Sequence, residues 1–427
     1  MHTKQWLMAA HALNGTGGFE NGDMLIRYPR ETDDKYAKRK EVAYYVNHMH
    51  SACQRFIAHL SKQPPSRATK NKLMEAVIDN CDQRGNHINQ FLQDFGVQAK
   101  ARGCGLILVD MPRFTGDSTA DQIAQRNTPY FVSIEPERVT DYAKDKFGAF
   151  EYVEFSDVLD INGKQKQVTR RYDRDGWRVF DGSDTYDKGE YTIGACPIVD
   201  FGENSGFPSL GSYYQIAGIS KRIYNAQSEL DEVLRGQTFS ILTYQVPENM
   251  AAGFDAAAIG STIGTQNMLV HHGIKPEFTA PDSAPAQTYK EYISSLEERI
   301  NVISNNVDLG AQQQSGLALS LRFQNMNAEL LNFARRLEDF ERRLFDMVAL
   351  WLDVTNDVAI RYPADFNLID KALEIEVLQN MVSLNAPKSY IVEKMRQIIS
   401  ADLIGMDVGT ESAIMSELED VLHERTA

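Results

Sequence analysis

The spacing of apolar residues between positions 319 and 351 constrains the fold more than any other feature of this sequence. Only an α-helix brings residues at alternating intervals of four and three onto one face, so the pattern predicts one uninterrupted helix. At its usual rise per residue, that helix is on the order of 50 Å long, enough to cross a large domain or an assembly. The apolar residues in the pattern are Leu319, Phe323, Met326, Leu330, Phe333, Leu337, Phe340, Leu344, Met347 and Trp351.

Charged residues on the other faces of this helix are arranged for exposure to solvent. Opposite charges four residues apart stabilise a helix by roughly 0.3 kcal/mol per pair. Such pairs are predicted between Arg335 and Asp339, Glu338 and Arg342, Asp339 and Arg343, and Arg342 and Asp346.

Composition describes an ordinary globular chain with excess negative charge. Of 427 residues, 43% are hydrophobic and 24% are charged, which suits two or three domains with real cores. The net charge of -15 argues against a surface that grips nucleic acid or an anionic membrane tightly, because phosphate binding relies on Lys and Arg.

Cysteine usage indicates a reducing compartment, and the hydrophobic runs indicate neither a signal peptide nor a membrane span. Cys53, Cys81, Cys104 and Cys196 lie far apart without a CxxC pair, so neither a zinc site nor a disulfide framework is predicted. The stretch WLMAAHAL is too short for a signal-peptide core, and no run approaches the roughly 20 apolar residues that span a bilayer. The chain is therefore expected to be made in the cytoplasm and to have no membrane partner.

The first half of the chain predicts an α+β domain preceded by an N-terminal arm. Residues 1–39 are largely Gly-rich and polar and are interpreted as a loosely attached arm. Within residues 40–207, amphipathic helices over 41–60 and 88–103 precede the apolar strand CGLILVD. A meander of short hairpins follows from Pro129, and helices followed by hairpins indicate the α+β class.

The second half of the chain is different in kind. Helices are predicted over 208–235 and 284–307, and they bracket a compact β-containing insert over 236–283. A loop over 308–316 contains the polar, uncharged stretch LGAQQQSG, and the long helix and a strand follow over 317–367. Residues 368–427 predict three shorter helices, with eleven acidic residues against five basic ones.

Sequence signatures of catalysis and metal binding are weak. There is no GxxxxGK[ST], strand-linked GxGxxG or HExxH motif, so no cofactor or metal site is predicted. DRDGW, which starts at Asp173, resembles the opening of a calcium loop, but a hairpin turn explains it better. His48 and His50 lie on different faces of the predicted helix, and with His271 and His272 they lack a matching ligand set.

Two further features could carry function. Asp110 ends a strand, where α/β enzymes place catalytic carboxylates, although a structural role before Pro112 is the simpler interpretation. A predicted hairpin holds the densest positive charge of the chain, and it could contact phosphates, solvent or another subunit. Its basic residues are Lys164, Lys166, Arg170, Arg171, Arg174 and Arg178.

The order of these elements resembles that of the portal, or head-to-tail connector, proteins of tailed double-stranded DNA bacteriophages. The stretch SLGSYYQIAGISKRIYNAQSELDEVLRGQTFSILT, after GACPIVDFGENSG, resembles the family's passage from the wing into the first stem helix and the clip. ISNNVDLGAQQQSGLALSLRF is similar to the end of its second stem helix, its tunnel loop and its long wing helix. YYVNHMHSACQRFIAHLSKQPPS and FGVQAKARGCGLILVDMP resemble its early wing elements.

The resemblance covers about residues 40–425 and implies a portal-like subunit of the α+β class. The chain is short for that family, so a small clip and a small crown are expected. The implied parts are an N-terminal arm (1–39), an α/β wing (40–207), stem helices (208–235 and 284–307), a β-containing clip (236–283), a tunnel loop (308–316), the long helix and strand of the wing (317–367) and a helical crown (368–427).

The resemblance also implies a function without catalysis. It implies a ring of about twelve copies at one capsid vertex of the virion, assembled in the host cytoplasm, through which DNA is packaged and later ejected. The implied partners are other copies of the chain, double-stranded DNA in weak and non-specific transit, the terminase large subunit, a head-completion adaptor or tail protein, and the major capsid and scaffold proteins.

Two groups of residues are assigned by this resemblance. Gln312, Gln313, Gln314 and Ser315 would face the channel, where amides touch phosphates without the salt-dependent grip of Lys or Arg. Candidates for acidic stem surfaces are Glu229, Asp231, Glu232, Glu297 and Glu298.

Two alternatives stay open at this point. An α/β enzyme with a catalytic Asp110 and a coiled-coil oligomerisation arm would need a pocket that holds Asp110 and a second polar group. A structural coiled-coil scaffold would use the same apolar repeat, but it explains neither the hairpins nor the paired helices around the insert.

Overall fold

A computed structural model describes residues 2–112, 127–161, 163–238, 241–243, 277–279, 284–305, 316–363 and 366, with scattered positions between 378 and 417. The chain divides into two units, Met1–Phe366 and Asn367–Ala427. Within the first unit, helices and sheets pack together, as the predicted α+β class requires.

The N-terminal segment is not a loose arm, and this prediction was wrong. Helix α1 (Thr3–Asn14) buries Trp6, Ala9, Ala12 and Leu13 completely or nearly so. The Trp6 indole donates a hydrogen bond to the Ser209 carbonyl oxygen at 3.1 Å, in the buried interior. The prediction rested on the Gly-rich residues after α1, whereas the apolar residues of WLMAAHAL pack α1 into the core.

The predicted helix over 41–60 is interrupted by residues 43–47, which belong to neither a helix nor a strand. Helix α2 (Asp33–Val42) ends before residues 43–47, and α3 (His48–Leu60) begins at an Asn47 cap whose side chain accepts a hydrogen bond from the His50 N–H at 2.8 Å. Such a cap stabilises a helix start at His48, so it favours a new helix there over one continuous helix through Tyr45 and Val46.

A three-stranded antiparallel sheet lies at the centre of the first unit, in the order β3-β2-β9. The strands are β2 (Cys104–Asp110), β3 (Tyr130–Ile134) and β9 (Ile198–Gly202). Helix α5 (Ile88–Arg102) leads into β2 through Gly103, whose φ of 90° ends the helix in the left-handed region. The prediction of this helix and strand is confirmed.

The predicted meander is a five-stranded antiparallel sheet in the order β4-β5-β6-β7-β8. Its strands are β4 (Val139–Lys144), β5 (Phe150–Ile161), β6 (Lys164–Asp173), β7 (Gly176–Asp181) and β8 (Asp184–Glu190). Asp173 and Gly176 border the β6–β7 turn, so DRDGW forms the hairpin turn that was favoured over a calcium loop.

Two long helices follow the sheets: α6 (Tyr214–Thr238) and α7 (Ala284–Ile303). The first begins at Tyr214 rather than at Pro208, because the Ser209 hydroxyl donates to the Gly103 carbonyl oxygen at 3.0 Å and Trp6 holds the Ser209 carbonyl. Strands β10 (Ile241–Thr243) and β11 (Glu277–Thr279) form an antiparallel pair within the predicted clip, most of which lies outside the described residues.

Helix α8 (Gly316–Leu352) confirms the apolar repeat as one helix of 37 residues, or about 55 Å. Six of the ten repeat positions are buried, from Met326 to Leu344, and Met347 and Trp351 are half-buried. The predicted pair of Glu338 with Arg342 forms. Arg343, in contrast, binds Asp200.

Three short elements complete the first unit: α4 (Lys72–Asp79), β1 (Ser66–Ala68) and β12 (Ala359–Arg361), of which the two strands pair antiparallel. Among the described residues, no helix is long and apolar enough to cross a membrane. In the second unit, Tyr390 and Ile391 donate backbone hydrogen bonds to the Pro387 carbonyl oxygen, but most of the predicted crown lies outside the described residues.

Candidate channel and assembly surfaces

Helices α6 and α7 form an antiparallel pair, here named the stem pair. At its base, the Tyr213 hydroxyl donates a hydrogen bond to the Ser304 carbonyl oxygen at 3.1 Å, which joins the start of α6 to the end of α7. Helix α7 buries only Ala286, Leu296 and Ile300, and these share the narrow apolar stripe that faces α6. The remaining faces of α7 lie largely in solvent.

Two of the acidic residues predicted on the stem, both on α6, contact the N-terminal segment. Glu229 accepts a hydrogen bond from the Tyr28 hydroxyl. Glu232 pairs with Lys35 at 3.5 Å and with Arg235 at 3.0 Å. Burial raises the pKa of the neighbouring Asp231 carboxyl. This part of the acidic surface is therefore smaller than its sequence suggests.

The other two predicted stem acids lie on α7. Glu297 has a carboxylate oxygen 3.9 Å from Nε2 of His48 at the start of α3. Burial lowers the pKa of the His48 imidazole, although the charge of Glu297 acts in the opposite direction. Glu298 instead lines a groove between α6 and α7.

That groove, here named the stem groove, has a volume of about 490 Å³. Ile219 of α6 and Leu296 and Ile303 of α7 contribute apolar lining. Arg222 and Arg299 lie at its rim, and neither forms an ion pair with any residue that the structure describes. The groove is thus an apolar surface whose two arginines outnumber its one carboxylate, that of Glu298, so it carries a net positive charge on an acidic chain.

Below the stem pair lies a buried cation that sequence reasoning missed. Lys100 of α5 is fully buried, and its Nζ lies 2.5 Å from a carboxylate oxygen of Glu203 and 2.5 Å from one of Glu329. The ammonium is also 4.2 Å from the ring centres of Phe56 and Tyr213, within cation–π range. Sequence alone offers no sign that this lysine is buried.

The Lys100 cluster, meaning Lys100 with Glu203 and Glu329, also reaches the end of the stem. Asn305 donates a side-chain hydrogen bond to Glu329 at 2.8 Å. Asn305 is the last described residue before the predicted tunnel loop, and Gly316, the last residue of that predicted loop, is the first residue of α8. Gln312, Gln313, Gln314 and Ser315 themselves lie outside the described residues.

The basic hairpin is not an open cationic surface. Lys166 pairs with Asp181 at 2.7 Å, and Arg170 pairs with Asp157 at 2.7 Å. Arg171 and Arg178 have carboxylate partners in Glu154 and Asp173, and Arg174 pairs with Asp145. The side chain of Lys164 is exposed. Because carboxylates on the same sheet and in its β4–β5 turn compensate five of its six cations, the hairpin offers less charge to phosphates than its sequence suggests.

Asp110 ends β2, as predicted, and two hydrogen-bond donors hold its carboxylate. Its carboxylate accepts hydrogen bonds from the Met111 N–H at 2.9 Å and from the Tyr130 hydroxyl at 3.3 Å. Burial raises the pKa of the Asp110 carboxyl, and the two donors act against that rise. Tyr130 is the neighbouring polar side chain, and burial raises its pKa to about 12. Among the described residues, no group of His, Cys, Asp and Glu side chains could hold a metal ion.

No protein-family model matches the chain, and no curated protein sequence matches it. A chain of the virion of a native gene transfer agent particle is similar at a TM-score of 0.43 and 10% identity, over 89% of this chain and 94% of that chain. Chains from the neck of an empty particle (TM-score 0.42, 12% identity, 79% and 90% covered) and of a native particle (0.42, 10%, 80% and 86%) are similar as well. Likenesses at this level define neither the fold nor the function of this chain.

Proposed function

We propose that this chain is a portal-like, non-enzymatic subunit that assembles into a ring at one vertex of a phage-type capsid. The ring, of about twelve copies, would be a channel for DNA during packaging and ejection. The proposal extends the sequence resemblance, and the architecture of α6, α7 and α8 supports it.

The observation that carries the proposal is the exposure of α7. It buries three of its twenty side chains, although a helix within a folded protein gains its stability mainly from packing against other elements. A neighbouring copy would supply the missing contacts, since cyclic assembly places the same helix pair beside itself around an axis.

The net negative charge of the chain is compatible with the passage of DNA through the proposed ring. A chain of net charge -15 makes an acidic ring, and a polyanion slides past such a surface with little binding. The proposal assigns the channel lining to Gln312, Gln313, Gln314 and Ser315, between the ends of the stem pair and α8. Glu229, Asp231, Glu232, Glu297 and Glu298 would supply acidic stem surface where they remain exposed.

The proposal includes partners at both ends of the channel. These are the terminase large subunit during packaging, a head-completion adaptor or tail protein afterwards, and the major capsid and scaffold proteins around the vertex. The basic hairpin over 164–178 is better suited to protein contacts than to DNA, because its cations are paired with carboxylates.

Particle assembly tests this function. In the system that encodes the chain, its removal should leave capsids without packaged DNA, and normally filled capsids in its absence would refute the function. Replacing Gln312, Gln313 and Gln314 with Ala should spare ring formation but shorten or release the packaged genome. Normal genome length and retention in that variant would refute the channel role of the loop alone.

A further inference from the structure

The two sides of α7 carry complementary surfaces. On one side is the stem groove, rimmed by Arg222 and Arg299, with Val302 exposed over 57% of its surface. A Cβ added to Gly218 in this groove would meet no atom within 4 Å, so the groove is open at that point. Nothing in the described part of the first unit fills it.

The opposite side of α7 adjoins the start of α3, where Glu297 lies 3.9 Å from His48, and an exposed apolar segment directly precedes His48. Residues 43–47 belong to neither a helix nor a strand, and their side chains alternate between half-buried and exposed. Tyr45 points inward, and its hydroxyl donates to the Ala12 carbonyl oxygen, whereas Tyr44 and Val46 are 55% and 40% exposed. The Tyr44 hydroxyl accepts a hydrogen bond from the Gln227 side chain of α6 at 2.7 Å, which holds its ring beside the stem pair. Glu41, near the end of α2 and two residues before this apolar segment, is also exposed.

Helix geometry fixes the relation between these surfaces. Glu297 and Arg299 are two residues apart on α7, so they point about 160° apart around the helix. Glu297 faces His48, which follows residues 43–47, and Arg299 faces the stem groove. The acidic, apolar edge, meaning Glu41, Tyr44, Val46 and Glu297, therefore lies across α7 from the basic, apolar groove.

We propose that the stem groove of one copy receives the edge formed by Glu41, Tyr44, Val46 and Glu297 of the next copy. Two different surfaces on opposite sides of a subunit make a head-to-tail contact, which closes into a ring when the rotation permits. Tyr44 and Val46 would enter the apolar groove, while Glu41 and Glu297 approach Arg222 and Arg299. This inference rests on the proposed ring and names the surfaces that build it.

Charge reversal tests the contact. The variant R222E/R299E carries an acidic groove opposite an acidic edge, and E41R/E297R carries a basic edge opposite a basic groove. Each alone should assemble at least about tenfold more weakly than the wild type, because like charges face each other at every contact. An equimolar mixture should recover assembly, since copies that alternate around the ring present opposite charges at each contact.

Recovery in the mixture also excludes misfolding as the cause of the loss. Assembly is measured by mass photometry over a concentration series, with R84E and E151R as matched reversals at exposed positions outside both surfaces. The controls should assemble like the wild type. Wild-type assembly by the two charge-reversed variants, or a mixture that stays dissociated, would overturn the contact and leave the proposed function standing.

Filling the groove gives an independent test. G218W should place an indole in the open space and block assembly, whereas G218A adds one methyl group and should assemble normally. Undiminished assembly of G218W would overturn the contact. If the wild-type protein itself never assembles, the proposed function fails together with this inference. If the wild type assembles and the variants assemble equally well, only this inference fails.

Discussion

Arg343 of α8 donates two hydrogen bonds to Asp200 of β9, one to the carboxylate at 3.0 Å and one to the backbone carbonyl oxygen at 2.6 Å. Lys144 of β4 contacts the other carboxylate oxygen at 2.8 Å, and the Phe207 N–H donates to that same oxygen at 2.8 Å. One carboxylate thus connects the long helix to strands of both larger sheets.

Asp200 should make the free energy of unfolding depend on pH. Burial by itself raises the pKa of the Asp200 carboxyl, but hydrogen bonds from Lys144 and Phe207 and the charges of Lys144 and Arg343 lower it below the ordinary value. A lowered pKa stabilises the fold above the unfolded-state pKa of about 3.9, and this stabilisation is lost as pH falls through the folded-state pKa.

The expected result for Asp200→Asn is a loss of about 2 kcal/mol at neutral pH, with a flatter decline of stability below about pH 4 than in the wild type. Denaturant unfolding at several pH values measures both effects. Asp160→Asn, at an exposed position, serves as the control and should leave stability within about 0.5 kcal/mol. Equal pH profiles for the wild type and Asp200→Asn would contradict this account.

Lys100 should stabilise the fold because its charge compensates two carboxylates, rather than because its side chain fills space. Lys100→Met removes the cation and leaves Glu203 and Glu329 unpaired in a largely buried site, so a loss of about 3–5 kcal/mol is expected. Adding Glu203→Gln and Glu329→Gln to that variant should restore part of the loss, because no uncompensated charge remains. Chemical denaturation measures both, and no recovery in the triple variant would argue against the charge explanation.

The apolar residues of α8 should each stabilise the fold in proportion to how deeply their side chains are buried. Leu344 is completely buried, whereas Leu350 on the same helix is 47% exposed. Leu344→Ala should lower the free energy of unfolding by about 3 kcal/mol, and Leu350→Ala by less than about 1 kcal/mol. Thermal unfolding compares the pair directly. Equal losses would mean that the buried residues are not the main packing face.

The N-terminal helix should be part of the folded core. Trp6 is completely buried and stacks on Phe207 with ring centres 5.5 Å apart, whereas the adjacent Leu7 is 45% exposed. Trp6→Ala should cost about 3–5 kcal/mol and Leu7→Ala less than about 1 kcal/mol, as measured by urea unfolding. A Trp6→Ala protein as stable as the wild type would support the loose arm that the sequence first suggested.

Periodic signals predicted the fold well because they record burial over many residues. The repeat from Leu319 to Trp351 predicted α8, and the run CGLILVD predicted β2. Boundaries were less certain because local caps decide them. Asn47 starts α3 after a break that the apolar period did not reveal, and the contacts of Ser209 delay the start of α6 to Tyr214.

Contacts between distant segments could not be predicted from one sequence. Lys100 and Glu329 are 229 positions apart in the sequence, and Arg343 and Asp200 are 143 apart, so no local spacing of residues indicates either pair. The basic hairpin shows the same limit at shorter range. Its cations stood out in the sequence, but their compensation by carboxylates depends on strand register.

The central claim is that copies of this chain form a closed ring, and the mass of the purified protein in solution tests it most directly. Mass photometry at physiological salt should show a dominant species of about twelve times the 48.1 kDa chain, and negative-stain images of it should show a central hole. A single 48.1 kDa species at every protein concentration and salt condition would contradict the account.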